Sequence, residues 1–163
     1  MGQRVSPGVA IVNTVLGLCV LLGGIQPLSA TETPPVYPEI GLVLSGCLVN
    51  LTLGLWWGPV GIRASGMYWG SNCHQLTLSL GYTLSDTPMF HHSINLTTSQ
   101  VTGEDPGARY RYWATGLSYS LVYRGLFLEL GLLHPWRDEV GNLGHTPVVP
   151  HGAVGYLYRF RSE

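Results

Sequence analysis

From Gln75 to Leu84 the chain alternates strictly, with Leu76, Leu78, Leu80, Tyr82 and Leu84 on one parity and Gln75, Thr77, Ser79, Gly81 and Thr83 on the other. A period of two is that of an extended strand with one apolar and one small polar face. The alternation recurs along the chain. Ile40, Leu42 and Leu44 oppose Glu39, Gly41, Val43 and Ser45; Val49, Leu51, Leu53, Leu55 and Trp57 oppose Asn50, Thr52, Gly54 and Trp56; Val60, Ile62, Ala64 and Tyr68 oppose Gly61, Arg63 and Ser65. Further on, Phe90, Ile94 and Leu96 oppose His91, Ser93, Asn95 and Thr97, although His92 interrupts the apolar side. Trp113, Leu117, Tyr119, Leu121 and Tyr123 oppose Ala114, Gly116, Ser118 and Ser120. Leu126, Leu128, Leu130 and Leu132 oppose Phe127, Glu129 and Gly131, and the last run sets Val154, Tyr156, Tyr158 and Phe160 against Ala153, Gly155, Leu157 and Arg159. Eight segments of roughly ten residues are long enough to cross a bilayer as tilted strands, and an even number closes a small antiparallel barrel.

The connections agree with that count. Gly58-Pro59, Ser85-Asp86-Thr87-Pro88 and Arg124-Gly125 are tight turns, whereas Gly70 to Cys73, Val101 to Arg109 and Pro135 to His151 are longer. Short and long connections therefore fall on alternate ends, the short ones facing the periplasm and the long ones the outside. Only the connection at Gly46-Cys47 is short where a longer one is expected.

Composition decides which face is outside. Charged residues make up only 10% of the chain against 45% hydrophobic ones, too few to clothe a soluble exterior. A soluble lipocalin-like secreted barrel is the alternative, with its apolar face inward. The small Gly, Ser, Thr and Asn side chains of the polar face fit a narrow lumen better, and the leucine-rich face, with Trp57, Tyr68, Tyr82, Trp113, Tyr123, Tyr156, Tyr158 and Phe160 near strand ends, fits a lipid-facing band with aromatic girdles. The net charge of -1 and the scatter of the eight arginines speak against a nucleic-acid partner.

The amino terminus reads as a secretory signal: Arg4, an apolar core from Val15 to Ile25, then Pro27-Leu28-Ser29-Ala30. Cleavage after Ala30 leaves 31–163 as one barrel domain. Cys19 lies inside the apolar core, behind Leu18, which is bulkier than lipoprotein processing usually accepts. The mature chain keeps Cys47 and Cys73, which an oxidising compartment can join or leave as two free thiols. Their strands are separated by two others, so only the rim loops could bring them together.

On these residues the segment from about Tyr37 to Phe160 resembles the small eight-stranded outer-membrane barrels of bacteria, the class of the transmembrane domain of the OmpA-like proteins. The resemblance implies an all-β, eight-stranded antiparallel transmembrane barrel in a bacterial outer membrane, in contact with outer-membrane lipid and lipopolysaccharide. It also implies that the assembly machinery recognises the last strand through Val154, Tyr156, Tyr158 and Phe160, although Arg161-Ser162-Glu163 follow where a terminal phenylalanine is usual. The expected role is structural or surface-interacting, with an unidentified ligand at the external loops Val101 to Arg109 and Pro135 to His151.

Four charges fall on the inward parity: Glu39, Arg63, Glu129 and Arg159. Buried charge is costly unless paired. Glu39 and Arg159 lie on the two strands that close the barrel, and Arg63 and Glu129 face one another from opposite walls, so a paired polar plug including His91 is expected rather than an open pore.

One enzymatic pattern stands out. His91-x-Ser93 with Glu104 downstream is similar to the outer-membrane lipid A 3-O-deacylases, which would imply Ser93 as nucleophile, His91 as base and Glu104 as orienting acid. The strand assignment instead points His91 and Ser93 into the lumen near the periplasm and puts Glu104 at the outer rim, so no catalytic triad is expected to assemble. No cofactor fingerprint and no spaced metal motif occurs; His145 and His151 share one loop but read as solvated.

Overall fold

The computed structural model describes residues 36–160 apart from 47, 70–72, 88, 106, 107, 142, 144 and 145. The expected signal segment, Cys19, Cys47 and His145 lie outside the described residues. Eight strands follow in order: β1 (Val36–Ser45), β2 (Leu48–Trp57), β3 (Val60–Trp69), β4 (Cys73–Asp86), β5 (Phe90–Asp105), β6 (Ala108–Tyr123), β7 (Leu126–Asp138) and β8 (Val149–Arg159). Each pairs antiparallel with the next, and β8 returns to β1 with Glu39 opposite Arg159 and Leu42 opposite Tyr156, which closes the barrel.

The turns reflect their residue chemistry. Arg124 and Gly125 both have positive φ, 49° and 91°, the conformation whose twist matches a two-residue antiparallel hairpin. Gly58, with φ 56°, serves the β2–β3 turn in a similar way.

The outer wall is apolar. Leu117 and Leu132 are 63% and 65% exposed, and Leu42, Leu53, Leu78, Leu128 and Val154 point outward with them. The inner wall buries Asn50, Thr52, Thr77, Ser79, Ser93, Asn95, Thr97, Ser118 and Ser120. This is the inverse of a soluble binding barrel, so the lipocalin-like alternative does not describe this fold.

Two expectations need correction. Val101 to Arg109 is not a loop: β5 and β6 run on as a paired hairpin with Val101 opposite Tyr112 and Glu104 opposite Arg109. Likewise β7 continues through Asp138 and β8 starts at Val149, which shortens the Pro135 to His151 connection from both ends. Polar sequence hid these extensions. Beyond the apolar band a strand has no hydrocarbon to face, so its outward positions turn to Thr98, Gln100, Thr102 and Glu104 and the apolar alternation fades although the ladder persists.

Two bulges alter the parity of the wall. Between Thr83 and Ser85 the register slips past Leu84, so that Asp86 pairs with His91 on the inner face. On β7 the register slips past Trp136, since Trp113 pairs with Arg137 but Ala114 with Pro135. A bulge adds one unpaired residue and re-aims the side chains beyond it.

Candidate functional site: the lumenal charge chain

The inward parity of β1, β3, β7 and β8 brings Glu39, Arg63, Glu129 and Arg159 into one connected column. Glu39 is the central acceptor. Arg63 donates from Nε and Nη2 to Glu39 Oε2 at 3.3 and 2.9 Å, and Arg159 donates from Nε to Oε1 at 2.8 Å, its Nη2 reaching the same oxygen. Each carboxylate oxygen thus serves a different guanidinium. Arg159 Nη1 continues to Asp86 Oδ1 at 3.2 Å at one mouth. In the other direction Arg63 Nη1 lies 3.8 Å from Glu129 Oε2, and Glu129 Oε1 lies 3.6 Å from His151 Nε2.

Hydroxyl groups complete the shell. Ser118 donates to Glu129 Oε1 at 2.6 Å and Thr97 at 3.2 Å, while Arg63 Nη1 donates to Ser120 at 3.4 Å. Such satisfaction is what allows ionised groups to sit out of bulk water.

Aromatic rings brace the cations. Trp56 stands between the two arginines, with Arg63 Cζ 5.5 Å and Arg159 Cζ 5.6 Å from its ring centre, and Phe127 lies 4.8 Å from Arg63 Cζ. Val43, Val122, Phe127 and Leu157 form an apolar cluster beside the charges. A lumen of this width is filled by its own side chains. A cavity of about 450 Å³ opens at the end bearing Gln75, Tyr110, Tyr112 and His151, and another of about 310 Å³ at the end bearing Arg124, Leu157 and Arg159. Trp56, Phe127 and the ion pairs lie between them.

His91 is buried in the same column, 3.4 Å from Asp86 by its Nδ1 and edge-on to Trp56 at 4.5 Å between ring centres. Neither of its ring nitrogens hydrogen-bonds Ser93. The Ser93 hydroxyl donates to Asn95 Oδ1 at 2.8 Å and shares a hydrogen bond with Ser120, also at 2.8 Å. Glu104 pairs with Arg109 at 2.7 Å, eleven residues further along β5, which at about 3.3 Å per residue is over 30 Å from Ser93. The structure therefore separates the three residues of the esterase reading. Among the described residues no three metal-ligating side chains cluster.

Sequence reasoning missed three participants. His151 has the parity of Ala153, Leu157 and Arg159, so extending β8 by one pair would have put it in the lumen. Trp56 stood out as a bulky residue on a face of small ones. Asp86 carried no signal, because strict alternation from Leu84 sends it outward and only the bulge turns it in.

Cys73 is disulfide-bonded. Close by, the Ser45 hydroxyl donates to Gln75 Oε1 at 2.7 Å. Non-adjacent strands β1 and β4 thus meet across the mouth, because the barrel is narrow enough for rim side chains to reach over it. That contact lies beside the rim position from which Cys73 starts β4.

A closed eight-stranded barrel with a hydrocarbon-compatible outside and a polar, self-filled inside is a β-barrel of the membrane-spanning class. No protein family and no curated protein matches the sequence. Among solved structures, the chain is similar to the N-terminal β-barrel domain of Pseudomonas aeruginosa OprF, at 13% identity over 80% of this chain and 100% of that one with a TM-score of 0.43. It is also similar to a chain from the de novo design of transmembrane β-barrels, at 12% identity over 80% of this chain and 98% of that one with a TM-score of 0.31.

Proposed function

We propose that this protein is a structural, surface-interacting barrel of a bacterial outer membrane whose lumen is closed by its own ion pairs. The observation that carries the reading is the pairing of an outward leucine wall with an inward column in which Glu39, Arg63, Glu129 and Arg159 are ion-paired. It assigns no catalytic residue. The strands β5 and β6, projecting beyond the apolar band, and the segment between β7 and β8 form the surface presented to the outside. Val154, Tyr156, Tyr158 and Phe160 on the outward face of the closing strand support recognition of the chain by the barrel-assembly machinery.

The test places a charge in the wall. Leu80 pairs with Ile62 and Leu96 midway along β4. In a bilayer, Leu80→Arg should cost about 2–4 kcal/mol of unfolding free energy, because a midplane cation on the lipid face loses its hydration. The wild-type barrel should float with lipid vesicles and pass no steady current across a planar bilayer. A protein that stays in the aqueous layer and tolerates Leu80→Arg would remove the membrane reading; a stable conductance would remove the closed lumen.

The reading extends to the cysteines. Cys47 follows Ser45 by two residues and Cys73 precedes Gln75 by two, and Ser45 and Gln75 are hydrogen-bonded. Cys47 is the partner this proposal assigns to Cys73. Proteolysis under non-reducing conditions should yield one peptide pair joined through Cys47 and Cys73; recovery of Cys47 as an alkylated thiol would refute the assignment.

A further inference from the structure

We propose that the outer wall at the ends of β6 and β7 carries a binding site for the phosphate of an anionic lipid headgroup, built from Arg111 and Arg137 above Trp113 and Trp136. The proposal rests on the membrane-spanning reading above and goes beyond it by naming a site and a ligand.

The β7 bulge makes the site. In an unbroken strand Trp136 and Arg137 would point to opposite faces. Because the register slips past Trp136, Arg137 pairs with Trp113 and both it and Trp136 reach the outside; Trp136 is 54% exposed. The two indole rings lie 6.0 Å apart, and Trp136 Nε1 donates to Thr115 at 3.0 Å, which holds its ring against the wall. One step higher, the Glu139 amide bonds to the Arg111 carbonyl at 2.8 Å, which aligns Glu139 beside Arg111.

Charge then favours an anion. The Glu139 carboxylate is shared, with Arg111 Nη1 at 3.3 Å and Arg137 Nε at 3.1 Å. Two guanidiniums on one carboxylate leave one positive charge in excess and N–H groups still directed outward, since each guanidinium carries five donors in a planar fork that suits phosphate oxygens. The adjacent Asp138 keeps its charge but has the opposite parity, across from Tyr112 at the mouth of the lumen, and its carboxylate is turned to the amides of Val140, Gly141 and Leu143 rather than to the two guanidiniums.

Height selects a lipid over a soluble anion. From Tyr123 at one edge to Trp113 at the other, β6 climbs about ten residues, which at about 3.3 Å each and a tilt of about 40° is about 25 Å, the height of the apolar band on such barrels. The arginines stand just above that band, where headgroup phosphates lie. Directly below are the exposed Leu117 and Leu132, so a ligand whose phosphate sits on the arginines meets an apolar wall suited to its acyl chains.

The experiment uses vesicles of equal parts phosphatidylcholine and phosphatidylglycerol, from which the inserted barrel is released and its retained lipids counted by native mass spectrometry. Wild type should keep phosphatidylglycerol over phosphatidylcholine by about tenfold, because both carry the phosphate but the choline ammonium cancels its charge beside the two arginines, each of which favours a net anionic headgroup. Arg111→Gln with Arg137→Gln should bring the ratio near unity, while Arg109→Gln, at the same end but paired with Glu104, should leave it unchanged. Vesicle flotation of each variant reports insertion independently; should the double variant fail to insert, Arg137→Gln alone is expected to lower the preference about threefold. A wild-type barrel that floats without preferring the anionic lipid, or a preference that survives loss of both arginines, overturns the site and leaves the membrane reading standing. Failure of wild type to float overturns both.

Discussion

Glu39→Gln should destabilise the barrel by about 3–5 kcal/mol, the range for removing one partner from a buried ion pair. The reason is position. Glu39 is 3% exposed and supplies one carboxylate oxygen to Arg63 and the other to Arg159, so its neutral replacement leaves two guanidiniums facing each other across Trp56. Arg63 would keep the neutral Ser120 hydroxyl at 3.4 Å and, as its remaining carboxylate, Glu129 at 3.8 Å, too long for a strong charge-assisted bond. Arg159→Gln should cost less, about 1–3 kcal/mol, since Glu39 retains Arg63. Combining the two should be milder than the sum of the single effects, because each removes the charge that the other strands. Urea unfolding in lipid vesicles, followed by tryptophan fluorescence, measures all three. A Glu39→Gln barrel within about 1 kcal/mol of wild type would mean that water, not Glu39, neutralises the arginines.

The second large effect concerns the seat of Trp56. A methyl group built on Gly61 would run into the Trp56 ring, and one on Gly81 would meet Trp56 Cη2 and Asn95 Oδ1, both at 2.6 Å. Small residues on β3 and β4 therefore make room for one large one on β2. Gly61→Val should cost about 3 kcal/mol or more, at the upper end of overpacking, because expelling the ring also exposes both arginines to an unbraced lumen. Trp56→Ala should cost about 3–5 kcal/mol through the void it leaves. The double variant should be more stable than the sum predicts, the valine filling part of that void, with a coupling of at least about 1 kcal/mol. Additive single effects would show that Gly61 is small for another reason, such as β2–β3 approach.

The architecture was legible in the residue pattern because period-two alternation in this chain has one physical consequence. Leu76 to Leu84 and Val154 to Phe160 put every large apolar side chain on one face, and so few charges accompany them that this face must meet hydrocarbon. Parity alone also sent Glu39, Arg63, His91, Glu129 and Arg159 inward, since a strand offers a side chain two directions only. What parity cannot supply is depth, width and interruption. The reach of Ser45 to Gln75 over two intervening strands depends on the diameter of a closed eight-stranded wall. The lumenal aim of Asp86 and the outward pairing of Trp136 with Arg137 depend on bulges that insert a residue without changing its type. The long β5–β6 hairpin lies beyond the apolar band, where hydrogen-bonded pairing continues after the hydrophobic signal has ended. Sequence by itself determined the face each residue occupies along a regular strand. Tertiary structure decided which of those residues touch, because contact across a barrel is set by register and closure, quantities that belong to all eight strands together.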